Sequence, residues 1–326
     1  MADVTLPSRD AGEGRGQLFL ITALAIAVLL VSLALILNTA IYTENIATRT
    51  TDTQLDEATS AQRVAVDTGG VILDAENRRG GSPSDIESRF ETTLANWSSS
   101  AATLEATNGF TTNVSYTGTN TTGLRVHQDD ASRDFTDNSS KVEWVVIEDG
   151  RVRGIRFNVS RTSLDSTPSD AFRLEIDNND GGTNDDVRVT MHDDGTNVVV
   201  TVENETGVVG SCAVEPTNDG SLVVDVSDAT VGTQYCPPLE TAHDEVDGEI
   251  DLEFDNADNA TGTYELYATN DDTNLFDLFD GDEYATVGSG YWPVQQDAIY
   301  DANVTFVFQS SGTTVKKEIR IAPGEL

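Results

Sequence analysis

Residues 101–116 read AATLEATNGFTTNVSY, and at Asn108-Gly109 the spacing of the apolar side chains changes. Before that pair, Ile86, Phe90, Leu94, Trp97 and Ala101 recur every three or four residues, the period of one helix face. After it, Phe110, Thr112, Val114 and Tyr116 alternate with polar neighbours, the period of a strand with one buried face. Glycine stops a helix because it takes the left-handed backbone that a side chain resists. The chain is therefore read as helical up to 109 and β beyond it, an α+β fold.

Upstream, Ser82 is placed as an N-cap, Pro83 as the first helical residue and Asp85 in a capping-box position. Residues 38–76 read as a helical stalk, weakened by the β-branched crowd at 48–53 and punctuated by Gly69-Gly70 and Gly80-Gly81. Further up, residues 18–37 read LFLITALAIAVLLVSLALIL without a charge. As a helix, twenty residues span roughly 30 Å, the hydrocarbon thickness of a bilayer. A cleaved secretory signal has an apolar region of only about 7–15 residues. A retained transmembrane helix is expected.

Arg9 and Arg15 precede that run, and the first basic residue after it is Arg49, which sets the N-terminus inside. The expected organisation is a cytoplasmic tail or leader at 1–16, a transmembrane helix at 17–40, a helical stalk at 41–109 and a β-rich acidic extracellular domain at 110–326.

Downstream, two Asp-Gly pairs, Asp149-Gly150 and Asp194-Gly195, lie between apolar-rich runs and signal hairpins 142–147/155–159 and 187–191/198–202. Further alternating runs centre on Leu174, Val224, Leu252, Leu266 and Phe306 and cover 315–321. So many half-apolar strands suggest an antiparallel β-sandwich-like domain.

The formal net charge is −37 with 38% hydrophobic residues, so the acidity sits on a foldable chain. Of the 19 basic residues only Lys141, Lys316 and Lys317 are lysines. In molar salt the Debye length falls to about 3 Å, so a dense carboxylate surface scarcely repels itself. This composition points to a salt-loving source. Nucleic acid is excluded as a partner, since no basic stripe exists to neutralise phosphates.

Cys212 and Cys236 are the only cysteines and are expected to pair in an oxidising space. Sequons at Asn96, Asn113, Asn120, Asn138, Asn158, Asn204, Asn259 and Asn303 all lie beyond the apolar run, as N-glycosylation of an external domain requires. A polar Thr- and Asn-rich chain also generates sequons by chance.

His127, His192 and His243 have no ligand-spaced or nucleophile partner in sequence, and no Gly-rich phosphate loop, HExxH or GxSxG occurs. No catalytic residue, metal or cofactor is expected. The loop at 177–186, DNNDGGTNDD, and the segment 270–272 carry oxygen ligands of the type calcium takes. Gly181 and Arg188 break the EF-hand pattern at its fifth and twelfth places, and an acidic turn is the reading preferred.

The stretch Arg15-Gly16-Gln17-Leu18 joined to the apolar run resembles the class III signal of archaeal type IV pilins and archaellins. The resemblance implies cleavage between Gly16 and Gln17 by a prepilin-type peptidase, and a helix that packs among pilin-like subunits. Ile21 stands fifth after that cut, where many bacterial-type pilins carry glutamate. Residues 15–49 are also similar to the N-termini of uncharacterised haloarchaeal membrane proteins with acidic ectodomains.

The function expected is that of a non-catalytic cell-surface protein anchored by one N-terminal helix. Its partners would be the lipid bilayer and pilin-like subunits or surface-layer components. The rival is a ligand-binding or sensory ectodomain working with a membrane partner.

Overall fold

The computed structural model describes residues 13–178, 186–216, 220–244, 248–269 and 283–325, with the backbone alone for 13–22, 25, 39–53, 178, 243 and 244. It divides into two compact units, Met1–Ser60 with Ser310–Thr313, and Ala61–Gln309 with Thr314–Leu326.

In the first unit runs most of helix α1, Glu13–Arg78. Every described side chain from Ala23 to Asn38 is exposed, Leu24, Leu29 and Ile36 among them. Ser32 Oγ donates to Val28 O at 2.8 Å, so the one hydroxyl in that stretch is satisfied within the helix. Among the described residues no helix is long and apolar enough to cross a membrane. The side chains of 18–22 and Ala25, part of the expected span, lie outside the described residues.

The second unit begins with the end of α1, which runs through Gly69-Gly70 where a break was expected. The reason is close packing. A Cβ on Gly69 would lie 2.3 Å from Ile321 Cδ1, and one on Gly70 3.0 Å from Pro323 Cβ, so the glycines admit the C-terminal segment against the helix. The break comes at Gly80 and Gly81, both at positive φ. Helix α2, Pro83–Glu105, follows with the expected capping box: Ser82 Oγ accepts from the Asp85 N–H and Asp85 Oδ2 from the Ser82 N–H. It buries Ile86, Phe90, Leu94 and Ser98 and ends, after the 3-10 turn Ala106–Asn108, at Gly109 in the left-handed region.

The strands are β1 Phe110–Gln128, β2 Trp144–Ser160, β3 Phe172–Asn178, β4 Val187–Asp193, β5 Val198–Asn204, β6 Gly207–Val214 and β7 Ser221–Asp225. Then come β8 Thr230–Val231, β9 Gln234–Tyr235, β10 Ile250–Asp255, β11 Gly262–Thr269, β12 Val294–Ser310 and β13 Thr314–Ile321. They join in one sheet of order β13-β12-β1-β11-β2-β10-β3-β4-β5-β6, with β7 also on β2. The fold is mixed α+β with a large antiparallel sheet.

The first expected hairpin does not exist. β2 passes straight through Asp149-Gly150, with Asp149 at φ +50 and its N–H donating to Asp251 Oδ1 at 2.7 Å. The register against β10 shifts there, so the pair makes a bulge that redirects the strand and does not reverse it. The second hairpin is present, with Asp193 opposite Val198 and Gly195 at φ +96. The Asn197 side chain donates to Asp194 Oδ2, and this bond, then those from the N–H groups of Asn197 and Thr196 to Oδ1, pull the Asp194 pKa down to about 2.

β2 organises the core because its two halves pair differently. Trp144 faces Phe254 of β10, while Phe157 lies between Tyr264 of β11 and Val224 of β7. Inward residues from both arms of the sheet meet in one cluster, at whose centre Phe135 has the rings of Phe157, Phe172, Phe254 and Tyr264 within 6.4 Å.

Candidate functional site

On β1 and β11, Arg125 stands opposite Tyr267 and His127 opposite Glu265. On the other side of β11, Tyr267 faces Arg153 and Glu265 faces Arg156. The register slips between those pairs, and Gly154, at φ +65, sits with the site of a Cβ 3.2 Å from the Tyr267 ring. Three arginines of the sheet thus converge around Glu265 and Tyr267, and Arg78 joins them from the last turn of α1.

Arg153 is fully buried. Its Nε donates to Tyr300 O at 2.6 Å, Nη1 to Asp74 Oδ1 at 2.8 Å and Nη2 to Ile299 O at 3.2 Å. One turn on, Asn77 Nδ2 donates to Ile299 O at 2.8 Å and accepts the Ile299 N–H on Oδ1 at 2.9 Å. The end of α1 is therefore read by the backbone of β12 through polar groups, each of which would be costly to bury alone.

Glu265 accepts from Arg125 Nε at 3.1 Å and Nη2 at 2.9 Å, and from Arg78 Nε at 3.0 Å and Nη2. Burial pushes its carboxyl up, but the two guanidinium groups outweigh that and hold it below the usual range. Arg156 pairs with Asp225 at 2.6 Å. A cleft of about 260 Å³ is lined by Arg78, Arg125, Asp129, Arg156, Thr263 and Glu265. Beside it a cavity of about 60 Å³ takes in Tyr267, whose hydroxyl has no hydrogen-bond partner among the described residues and whose pKa burial raises. Such a cleft can hydrogen-bond a polar ligand, and the cavity has room for water.

A second cleft, of about 390 Å³, lies on the β3–β5 arm and is lined by Glu175, Asp177, Asp186, Glu203, Asp251 and Glu253. Glu253 stands opposite Glu175 and Asp251 opposite Asp177. Burial, then the hydrogen bond shared with Asp186, raises the Asp177 pKa. Most of the loop considered for calcium, 179–185, and all of 270–272 lie outside the described residues. Among the described residues no group of three or more His, Cys, Asp or Glu side chains is placed to hold a metal.

The remaining residues singled out in the sequence are scattered. Cys212 and Cys236 are joined, with Cα atoms 5.9 Å apart. Gly16 and Gln17 lie in α1, their side chains outside the described residues. Among the asparagines, Asn96 is on α2, Asn113 and Asn120 on β1, Asn138 in an exposed turn, Asn158 on β2, Asn204 at the end of β5, Asn259 in a 3-10 turn and Asn303 on β12. Sequence reasoning missed Arg153, Glu265 and Tyr267. The run RVRGIRF at 151–157, three arginines inside an apolar strand, carried the available signal.

A family of unknown function, DUF7261, matches residues 12–175, half of the chain. The chain belongs to that family. The DUF7261 match takes in α1, α2, β1 and β2, and with them Asp74, Arg78, Arg125 and Arg153. It stops before Glu265, Tyr267 and both cysteines, so this DUF7261 protein completes its charged cluster from outside the matched segment. No curated protein and no solved structure matches the chain.

Proposed function

We propose that this protein is a non-catalytic cell-surface protein of a haloarchaeon, held in the lipid bilayer by one N-terminal helix at 17–40. Its sandwich-like acidic domain stands outside the cell, among pilin-like subunits or surface-layer components. The observation that carries this reading is the uncharged run 18–37, whose described side chains point outward all round the helix. Left in water, each large apolar side chain costs roughly 1.5–3 kcal/mol relative to burial, and lipid removes that cost. The Ser32–Val28 bond suits the same solvent, since no water is needed to satisfy the hydroxyl. The Cys212–Cys236 disulfide supports an oxidising exterior.

The test is fractionation of cells at molar salt followed by alkaline extraction of the membranes. The full chain is expected to stay in the pellet. Leu29→Arg, which adds about 2.5–3.5 kcal/mol to insertion at the helix centre, is expected to shift it to the soluble fraction. Recovery of the wild-type chain in the alkaline extract rejects the anchor. N-terminal mapping of the membrane form then separates a pilin-like subunit, starting at Gln17, from a plain anchor that retains Arg15 and Gly16.

A ligand-binding ectodomain is the second reading. It is favoured by the cleft between Arg78, Arg125 and Arg156, where polar groups converge on an open concavity.

A further inference from the structure

The eight sequons differ in one hydrogen bond. Asn204-Glu205-Thr206 forms the tip of the β5–β6 hairpin, and there Asn204 Oδ1 accepts from the Thr206 N–H at 3.0 Å and from Thr206 Oγ1 at 2.6 Å. Among the described residues, no other sequon has its third-residue hydroxyl on the asparagine carbonyl. Ser98 is buried, with its Oγ accepting from the Val114 N–H. Ser160 Oγ is engaged with Thr162 Oγ1. Asn158 and Asn303 sit within strands paired on both sides.

We propose that Asn204 is the residue of this chain that accepts an N-linked saccharide, from a donor in which the sugar is carried on a lipid phosphate. The inference rests on the external placement argued above.

An amide nitrogen is a poor nucleophile because its lone pair is delocalised into the carbonyl. When a base on the transferring enzyme removes a proton from Nδ2, negative charge collects on Oδ1. There the two donors of Thr206 are already aimed, and donors placed where charge develops lower the barrier to its development. The nitrogen then attacks the anomeric carbon of the sugar. The C–N bond forms, the C–O bond to phosphate breaks, and the lipid phosphate leaves with the bonding pair. One amide hydrogen is exchanged for a glycosidic bond, and no oxidant or reductant is involved.

Access at the tip agrees with this chemistry. Glu205, Thr206 and Gly207 are exposed, and a Cβ built on Gly207 meets nothing within 4 Å. The hydrogen bonds are also local. They span two residues of a hairpin whose strands run 198–204 and 207–214, so they are available before the distant parts of the sheet are in place.

The experiment uses the full chain isolated from membranes of its own cells. Intact cells are first treated with a membrane-impermeant amine reagent, for which the exposed Lys316 and Lys317 report external placement. Mass spectrometry then maps peptides from within 192–235, a stretch whose one sequon is at Asn204. The expected result is a saccharide mass on Asn204 with labelled lysines, lost in Thr206→Ala and kept in Thr206→Ser. Labelled lysines with Asn204 bare, or with the sugar only at another sequon, overturn the inference and leave the external placement standing. Unlabelled lysines with Asn204 bare overturn both.

Discussion

The guanidinium carbon of Arg153 lies 4.2 Å from the centre of the Tyr267 ring, and both side chains are shut off from solvent, at 0% and 1% exposure. A cation over an aromatic face is held by the ring quadrupole, and burial strengthens the attraction. Because the same guanidinium also binds Asp74 and two carbonyls of β12, it ties β2, β11, β12 and the end of α1 together.

Removing that group should be costly. Arg153→Ala is expected to lose roughly 3–5 kcal/mol, the usual consequence of stripping one partner from a buried ion pair. Arg153→Lys should recover only part of it, since an ammonium cannot serve Asp74, Ile299 and Tyr300 in one plane. Urea midpoints in molar salt give both numbers. A loss under about 1 kcal/mol for the alanine variant would mean that the cluster does not hold the helix.

At Gly69 two principles oppose each other. Alanine favours an ordinary helix interior by roughly 0.5–1 kcal/mol over glycine. Here its Cβ would fall 2.3 Å from Ile321 Cδ1, and overpacking of that kind costs about 1–3 kcal/mol. Gly69→Ala should therefore destabilise. Ile321→Val, which deletes the clashing methyl, should remove most of that penalty in the double variant, and a thermodynamic cycle over the four proteins measures the coupling. Additive effects would sink the packing argument.

Opposed carboxylates on β3 and β10 make the acidic arm sensitive to salt. Burial, then neighbouring charges led by Asp255 and Glu175, raises the Glu253 pKa, so its ionised form is disfavoured in the folded chain. Glu253→Gln should raise stability by up to about 1 kcal/mol at low ionic strength. The gain should shrink in molar salt, where the Debye length falls to about 3 Å. Denaturation midpoints for both proteins at the two ionic strengths decide it, and an equal gain in each would exclude a charge effect.

His127 should titrate late on the way down in pH. Its pKa is lowered first by burial and then by Arg125, against the pull of Asp129 and Glu265; Nδ1 lies 3.1 Å from Asp129 Oδ2, and Trp292 covers the ring. A folded-state pKa below the unfolded value of about 6.5 means that the unfolded chain takes up the proton first. The contribution of the neutral ring to stability is complete above pH 6.5 and is lost as pH falls below it. An NMR titration of the imidazole in the folded protein should give a midpoint under 6.5. A midpoint above that value would show that Asp129 prevails over burial.

Local signals were legible wherever the physics is local. The capping box at Ser82, the stop at Gly109 and the hairpin at Asp194-Gly195 each involve a few consecutive residues, and each stands where the residues put it. The same kind of signal misled at Asp149-Gly150 and at Gly69-Gly70. A turn-forming pair also suits a bulge, and a glycine pair also suits close approach, and the choice is made by a distant partner: Asp251 in one case, Ile321 and Pro323 in the other. β6, with glycine at 207 and 210 and no clean alternation, was missed, because pairing along β5 and the disulfide to Cys236 hold it in place.

By itself the sequence determined the α+β class, the point where helix gives way to strand, the acidity of the surface and the single candidate disulfide, because these depend on composition, period and count. Only the tertiary structure decided that Arg153 is a buried tie between four elements and that Glu265 holds two arginines. The physical reason is that burial and hydrogen-bond direction belong to pairs of residues far apart along the chain, 147 positions for Arg153 and Tyr300 and 187 for Arg78 and Glu265. No period along the chain encodes which of its many arginines and asparagines will find such a partner.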